Sequence, residues 1–277
     1  MLNEFEGRTA VITGGATGIG RALAMVLARK GMNIVLASTN VERLEQAAAD
    51  VRQQGARVLI VQCDVSDRAA VRNLAARTVQ EFGAVHLLCA NAGITTSGPF
   101  LDHSDEDWDW VYDVVLRGVT NCIQAFYPLM ASAGEGQIMI TGSQAGILPD
   151  WTLGHGPYTS AKSAVMALGV ALRPEAAEHG VGVTVLIPAA IESDILQSDR
   201  SRLARFSTGS DRATSLSDMK TREGAPAPAP NTKFFLTAEE AAEDIVAKLP
   251  ENPAFIATHP GLKPLVEEYF GRILAAY

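Results

Sequence analysis

Seven short apolar runs, separated by longer Ala- and Leu-rich segments, constrain this chain more than any other feature. They are RTAVIT (8–13), NIVLA (33–37), RVLIVQ (57–62), HLLCA (86–90), QIMITG (137–142), GVTVLI (182–187) and AFIAT (254–258). Most are rich in Val, Ile or Leu and do not alternate cleanly, the pattern of strands buried on both faces. Segments of helical composition fill the intervals at 18–30, 40–54, 67–82, 104–131, 157–179 and 238–249, and another follows at 262–275. Strand–helix alternation implies right-handed crossovers. The expectation is an α/β fold: a doubly wound, seven-stranded parallel sheet with helices on both faces, in a single domain over 1–277.

Composition narrows the function. Of 277 residues, 47% are hydrophobic and 19% charged, enough to build a core and too few charges for a disordered chain. The net charge of −8 argues against a nucleic-acid partner, which needs a basic face. The opening MLNEFEGRTA has no apolar run of the signal-peptide kind, and no stretch reaches the roughly 18 apolar residues of a membrane span. Those features, with three widely spaced cysteines (Cys63, Cys89, Cys122) that form no C-x-x-C pair, point to core thiols and a cytoplasmic setting. The five histidines lack metal-ligand spacing, so no metal is expected.

Two stretches carry chemistry. TGGATGIG runs from the first strand into the first helix, with Gly14, Gly18 and Gly20 spaced G-x-x-x-G-x-G. Glycines there allow a tight turn and the approach of a phosphate to a helix amino terminus, where unpaired N–H groups favour an anion. In GPYTSAK (156–162), Tyr158 and Lys162 stand at i and i+4 and share a helix face. A phenol is a poor base at neutral pH, and a nearby ammonium lowers its pKa. Read alone, the pair is better explained as a solvated helix face.

TGGATGIG, then Asn91-Ala92-Gly93, then Ser143 in TGS, then Tyr158-Thr-Ser-Ala-Lys162 together resemble the short-chain dehydrogenase/reductase family, in that family's order, from about Gly7 to Ile195. The resemblance implies a Rossmann-type domain, a nicotinamide cofactor and interconversion of an alcohol and a ketone. Ser143, Tyr158 and Lys162 would be the catalytic residues. Thr17 and Ile19 would hold the cofactor with Gly14, Gly18 and Gly20; Ser38 and Thr39 would lie at its ribose; Asp64 and Val65 at its adenine, with a helix cap as the other reading of Asp64. Asn91, Ala92 and Gly93 would lie beside it, and Pro188, Ile191 and Ser193 at the nicotinamide, where Tyr158 and Lys162 also reach. The end of the second strand reads LASTN, without the acid that binds a ribose 2′-hydroxyl and repels a 2′-phosphate. NADP(H) is therefore favoured over NAD(H), with Arg43 and Arg21 as candidate phosphate partners. The family also implies a homotetramer or homodimer, formed through 104–131 and 157–179.

Val115 stands where the family often has an asparagine that supports a proton-relaying water, which puts that relay in doubt. PAAIESDI, the SRL at 201–203 and FIATHPGLKPLVEEYF resemble dehydrogenases of the benzylic alcohol in lignin-type aryl ethers. The polar 193–235 stretch breaks the strand–helix rhythm and is expected to cover the substrate. Ile195, Leu196, Leu203 and Phe206 on it have no evident core to join, and would face Ile94, Ile147, Leu148 and Trp151 across an apolar slot. His155 is expected in the pocket or on the surface. A hydrophobic secondary alcohol, aromatic ones included, or its ketone is the expected small-molecule substrate; a β-ketoacyl-thioester reductase and a non-catalytic NAD(P)-sensing protein are the alternatives.

Overall fold

A computed structural model of the chain describes residues 4–207 and 220–277. Seven parallel strands form its sheet: β1 (Thr9–Thr13), β2 (Asn33–Ser38), β3 (Val58–Gln62), β4 (Leu87–Ala90), β5 (Gly136–Thr141), β7 (Val181–Ile187) and β9 (Phe255–Ala257), in the order β3-β2-β1-β4-β5-β7-β9. The expected architecture holds, because the inner runs are buried on both faces, while the edge strands β3 and β9 keep partly exposed residues. Along β1, Val11 joins one core cluster while Ala10 and Ile12 join the other. The strand order reverses between β1 and β4, and a sheet of this kind opens its ligand crevice at that point, beyond the carboxyl ends of the strands.

Helices α1 (Gly18–Arg29), α2 (Val41–Gln53) and α3 (Arg68–Phe82) follow the first three strands, and α7 (Gly156–Glu178), α8 (Ala238–Lys248) and α9 (Lys263–Leu274) complete the layers. Local chemistry sets their starts. Asn40 caps α2 by accepting from the Arg43 amide at 2.9 Å. Thr237 and Glu240 form a reciprocal capping box at α8. Asp67, rather than Asp64, caps α3, accepting from the Ala69 amide at 2.8 Å. Asp64 instead turns back on the amide and hydroxyl of Ser66, because it lies three residues before the cap position.

The helix expected over 104–131 is one rod with a change of pitch. α4 (Asp105–Val111) opens on a Ser104–Asp107 capping box, residues Tyr112–Arg117 are π-helical, and α5 (Gly118–Ala133) resumes the α pitch. π turns are rare and occur frequently at functional sites. Val115 lies within the π turn with 0% exposure, in the core, while its neighbour Val114 borders the crevice. Gly118 is required by contact: a Cβ there would come 2.6 Å from Val65 Cγ2.

The 193–235 stretch is largely ordered where described. It forms 3-10 turns at Ile195–Ser201 and Ala204–Phe206. Farther on, β8 (Lys220–Thr221) pairs antiparallel with β6 (Thr152–Leu153). Residues 208–219 of the stretch lie outside the described residues. Phe206 does find a core, contrary to expectation: its turn packs on α4, and the ring is 5% exposed. Ile195 and Leu203 pack against the same cluster. Ile147 and Leu148 likewise leave the expected slot; Leu148 is buried with Leu262 and Leu265 beneath α9.

Candidate active site

At the carboxyl end of the sheet lies a cleft of about 1240 Å³. Its nucleotide half begins at the turn after β1. Gly14 and Gly18 have φ of +65° and +52°, which side chains rarely adopt. A Cβ on Gly18 would also come 3.0 Å from Ser193 Cβ. Thr17 occupies the α1 N-cap position without a side-chain cap bond, so the first amides of α1 keep the character of an anion site. Gly14, Thr17, Gly18 and Ile19 border the cleft. Gly20 does not: it packs beneath the turn, where a Cβ would meet the Gly14 carbonyl at 2.3 Å.

Ser38 and Thr39 from β2, Asp64 and Val65 after β3, and Ala92 and Gly93 after β4 border the same half. Asp64 is ion-paired with Arg205 at 2.6 Å. Burial pushes its carboxyl up, but hydrogen bonds from Ser66 and Arg205 outweigh this and hold it below its ordinary value. Asn91 also borders the cleft, yet its amide belongs to the scaffold. It donates to the Thr13 carbonyl at 3.0 Å and accepts from the Thr141 hydroxyl at 3.2 Å, tying β1, β4 and β5 together. Of the two arginines considered for a phosphate, Arg43 borders the cleft, while Arg21 is bonded to Asp50 at 2.5 Å away from it.

The other half brings Ser143, Tyr158 and Lys162 together. Ser143 ends the turn after β5 and caps α6 (Gln144–Ile147), accepting from the Ala145 amide at 3.1 Å. Tyr158 and Lys162 project from α7 toward it, as their i, i+4 spacing requires. The Lys162 Nζ donates to the Thr141 carbonyl at 2.5 Å and sits 5.7 Å from the Tyr158 ring centroid. Pro188, Ile191 and Ser193 close this side after β7. Electrostatics differ from the sequence expectation of a phenol acidified by its lysine. Burial pushes the Tyr158 phenol above its ordinary value, against a hydrogen bond with Ser143 that pulls it down. Burial also pushes the Lys162 ammonium down to about 7, so at neutral pH its charge is only partly present.

The apolar wall of the cleft comprises Ile94, Trp151, Ile195, Leu196 and Leu203, joined by Trp110 and Val114 from the α4 rod. His155 is in the pocket and buried. Its ring lies 5.6 Å from that of Tyr158, burial pushes it down to about 4, and its Nε2 has no hydrogen-bond partner. Gln144, which sequence reasoning passed over, borders the cleft beside Ser143 with its Nε2 also unpartnered. Gln144 directly follows Ser143, and that adjacency is the signal that could have marked it; Trp110 reaches the cleft through folding of a distant segment. Among the described residues no group of acids, histidines and cysteines could hold a metal ion, and no helix is long and apolar enough to cross a membrane.

Comparison with known proteins bears on this geometry. The family model described as short chain dehydrogenase matches residues 8–204. The C alpha-dehydrogenase of Sphingobium sp. (strain NBRC 103272 / SYK-6) is 30% identical over 276 residues, 99% of this chain and 87% of that protein. A 2,5-dichloro-2,5-cyclohexadiene-1,4-diol dehydrogenase, LinX, of Sphingobium indicum is 32% identical over 195 residues, 70% of this chain and 77% of that protein. Among solved structures, a short chain dehydrogenase/reductase from Burkholderia phymatum in complex with NAD superposes with a TM-score of 0.88 at 32% identity, covering 99% of this chain and 96% of that one.

Proposed function

The chain belongs to the short-chain dehydrogenase family and is an oxidoreductase of it, and from that premise we propose that it interconverts a hydrophobic secondary alcohol, including aryl-substituted ones, with its ketone. The observation that carries the reading is the meeting of Ser143, Tyr158 and Lys162 in one cleft with the glycine turn. A nicotinamide dinucleotide, when bound, supplies or accepts the hydride at the substrate carbon. Gly14, Thr17, Gly18 and Ile19 would hold its phosphates; Ser38, Thr39, Asp64 and Val65 its adenosine; Asn91 to Gly93, Pro188, Ile191 and Ser193 its nicotinamide side.

Tyr158 moves the proton. In reduction its phenol gives a proton to the ketone oxygen; in oxidation its phenolate takes one from the hydroxyl. Ser143 hydrogen-bonds the same oxygen and fixes its orientation. Lys162 favours the phenolate to the extent that it is charged, and the Thr141 carbonyl holds its Nζ in position. Segment 193–207 covers the substrate and excludes water from the transfer. The apolar wall of Trp110, Trp151, Leu196 and Leu203 supports a bulky substrate over a short polar one. The name of one relative, a dehydrogenase of a cyclic diol, agrees with an alcohol as the group oxidised. NADP(H) is favoured over NAD(H), with Arg43 as the phosphate's partner. Assembly as a homodimer or homotetramer would use α5 and α7, where Leu129 and Val170 are exposed.

The test is turnover of NADPH and NADH against aryl and small aliphatic ketones, followed by cofactor absorbance. Reduction of the aryl ketones is expected to have the higher kcat/KM. Absence of turnover with every ketone and both cofactors, in either direction, contradicts the reading.

A further inference from the structure

We propose that Asp194, carried on the segment after β7, is the acid that discriminates at the 2′ position of the cofactor's ribose, reaching from across the cleft. The proposal rests on the dinucleotide reading above and deepens it. In many dinucleotide folds this acid stands at the end of the second strand, but here β2 ends in Ser38 and Thr39. Asp194 supplies a carboxylate to the same part of the cleft. Its Oδ2 lies 2.7 Å from Arg43 Nη1, and Ser38, Thr39, Arg43 and Asp194 border one continuous space. Arg43 is held by the Asn40 cap in the first turn of α2, directly after the strand whose end sets cofactor choice elsewhere.

Asp194 is itself fixed. Arg200 Nη2 lies 3.4 Å from the same oxygen, and Arg200 Nη1 donates to the carbonyls of Asp194 and Gln197. The Arg43 side chain therefore faces a carboxylate anchored on another element, and their ion pair latches the 193–206 segment to α2. Ser193, next in the chain, lies against Gly18 at the amino terminus of α1, so the latch spans the nucleotide half of the cleft. The Arg43 and Asp194 side chains are each 37% exposed, open to a ligand.

A ribose 2′-hydroxyl can donate to Asp194 with the ion pair intact. A 2′-phosphate brings about two negative charges at neutral pH. It must take the Arg43 guanidinium from Asp194, for which phosphate is a good bidentate partner, and it is repelled by the carboxylate it displaces. Arg43 attracts the phosphate and Asp194 opposes it. The preference for NADP(H) is thus held below what Arg43 alone would give, and NADP(H) unlatches the segment where NAD(H) leaves it closed.

The test is dissociation constants for NADPH and NADH, from fluorescence titration at low salt, for wild type, Asp194→Asn and Arg43→Gln. Both sites are half-exposed, so the variants retain the fold. Asp194→Asn is expected to tighten NADPH by about tenfold, the order of effect of one charge a few ångströms away in a partly hydrated site, with a much smaller change for NADH. Arg43→Gln is expected to weaken NADPH more than NADH. In wild type, amide hydrogen exchange over 194–202 should be faster with NADPH bound than with NADH. Equal responses of the two cofactors to Asp194→Asn, or no response, overturn the proposal. Binding of neither cofactor by wild type overturns the dinucleotide reading and the proposal with it.

Discussion

Replacing Lys162 by methionine is expected to stabilise the protein near neutral pH while it removes activity. Lys162 is 3% exposed, and burial holds its ammonium at about 7, against an ordinary value of 10.5. A folded-state pKa below the unfolded one means that the unfolded chain binds more protons between those two values. Stability therefore rises with pH across that window, and the full penalty of burying the lysine is present below about pH 7. At about 1.4 kcal/mol per pH unit, the gap corresponds to about 5 kcal/mol. Methionine fills a similar volume without charge, but it leaves the Thr141 carbonyl without its 2.5 Å donor. That loss costs about 1–3 kcal/mol. The net gain below pH 7 is then about 2–4 kcal/mol, or several degrees in Tm for a chain of this size. At about pH 9.5 only about 1 kcal/mol of the penalty remains, and the lost hydrogen bond cancels it. The assay is thermal melting of wild type and Lys162→Met at about pH 6 and pH 9.5. A higher Tm for the variant at pH 6, shrinking to nothing at pH 9.5, is expected. A variant less stable at both values, or a difference that does not change with pH, refutes the argument that this lysine is held against its own burial.

Val115→Asn places an amide at a fully buried core position and is expected to cost about 1–3 kcal/mol. It should lower Tm without raising turnover or changing the solvent isotope effect; faster turnover at unchanged Tm would show an impaired relay instead. Leu196→Ala, on the cleft wall, is expected to lower kcat/KM for a bulky aryl ketone more than for a small aliphatic one, by about 1–3 kcal/mol at most. Phe206→Ala should act on stability, by about 3 kcal/mol or more, and on both ketones alike. A selective effect of Phe206 on the aryl ketone would return that ring to the substrate slot.

The sheet was legible because strands buried on both faces keep an apolar signature whatever their neighbours. β7 was expected at 182–187 and is found at Val181–Ile187. The glycine turn and the Tyr158–Lys162 pair were legible because their geometry is local, set by a strand-to-helix turn and by i, i+4 spacing. Features that depend on long-range packing were hidden. The π turn at Tyr112–Arg117 changes helical pitch with no shift in composition. Phe206 looked unsupported in a polar segment, since the α4 surface that receives it lies about 100 residues earlier. Asp64 was expected at the cofactor's adenine, with a helix cap as its other reading, and nothing in its neighbourhood announces Arg205, 141 residues away. The lowered pKa expected for Tyr158 failed for the same reason: spacing shows the ammonium beside the phenol but not the burial that acts against both charges.

The central claim is that Tyr158 carries the proton while hydride moves. Tyr158→Phe keeps the ring and its packing and removes only the transferable proton. The decisive measurement is kcat for ketone reduction by this variant, beside its affinity for NADPH. Turnover is expected to fall by at least about 10²–10⁴-fold, the range typical of general acid–base catalysis, while the cofactor still binds. Turnover close to that of wild type, with binding intact, would contradict the account.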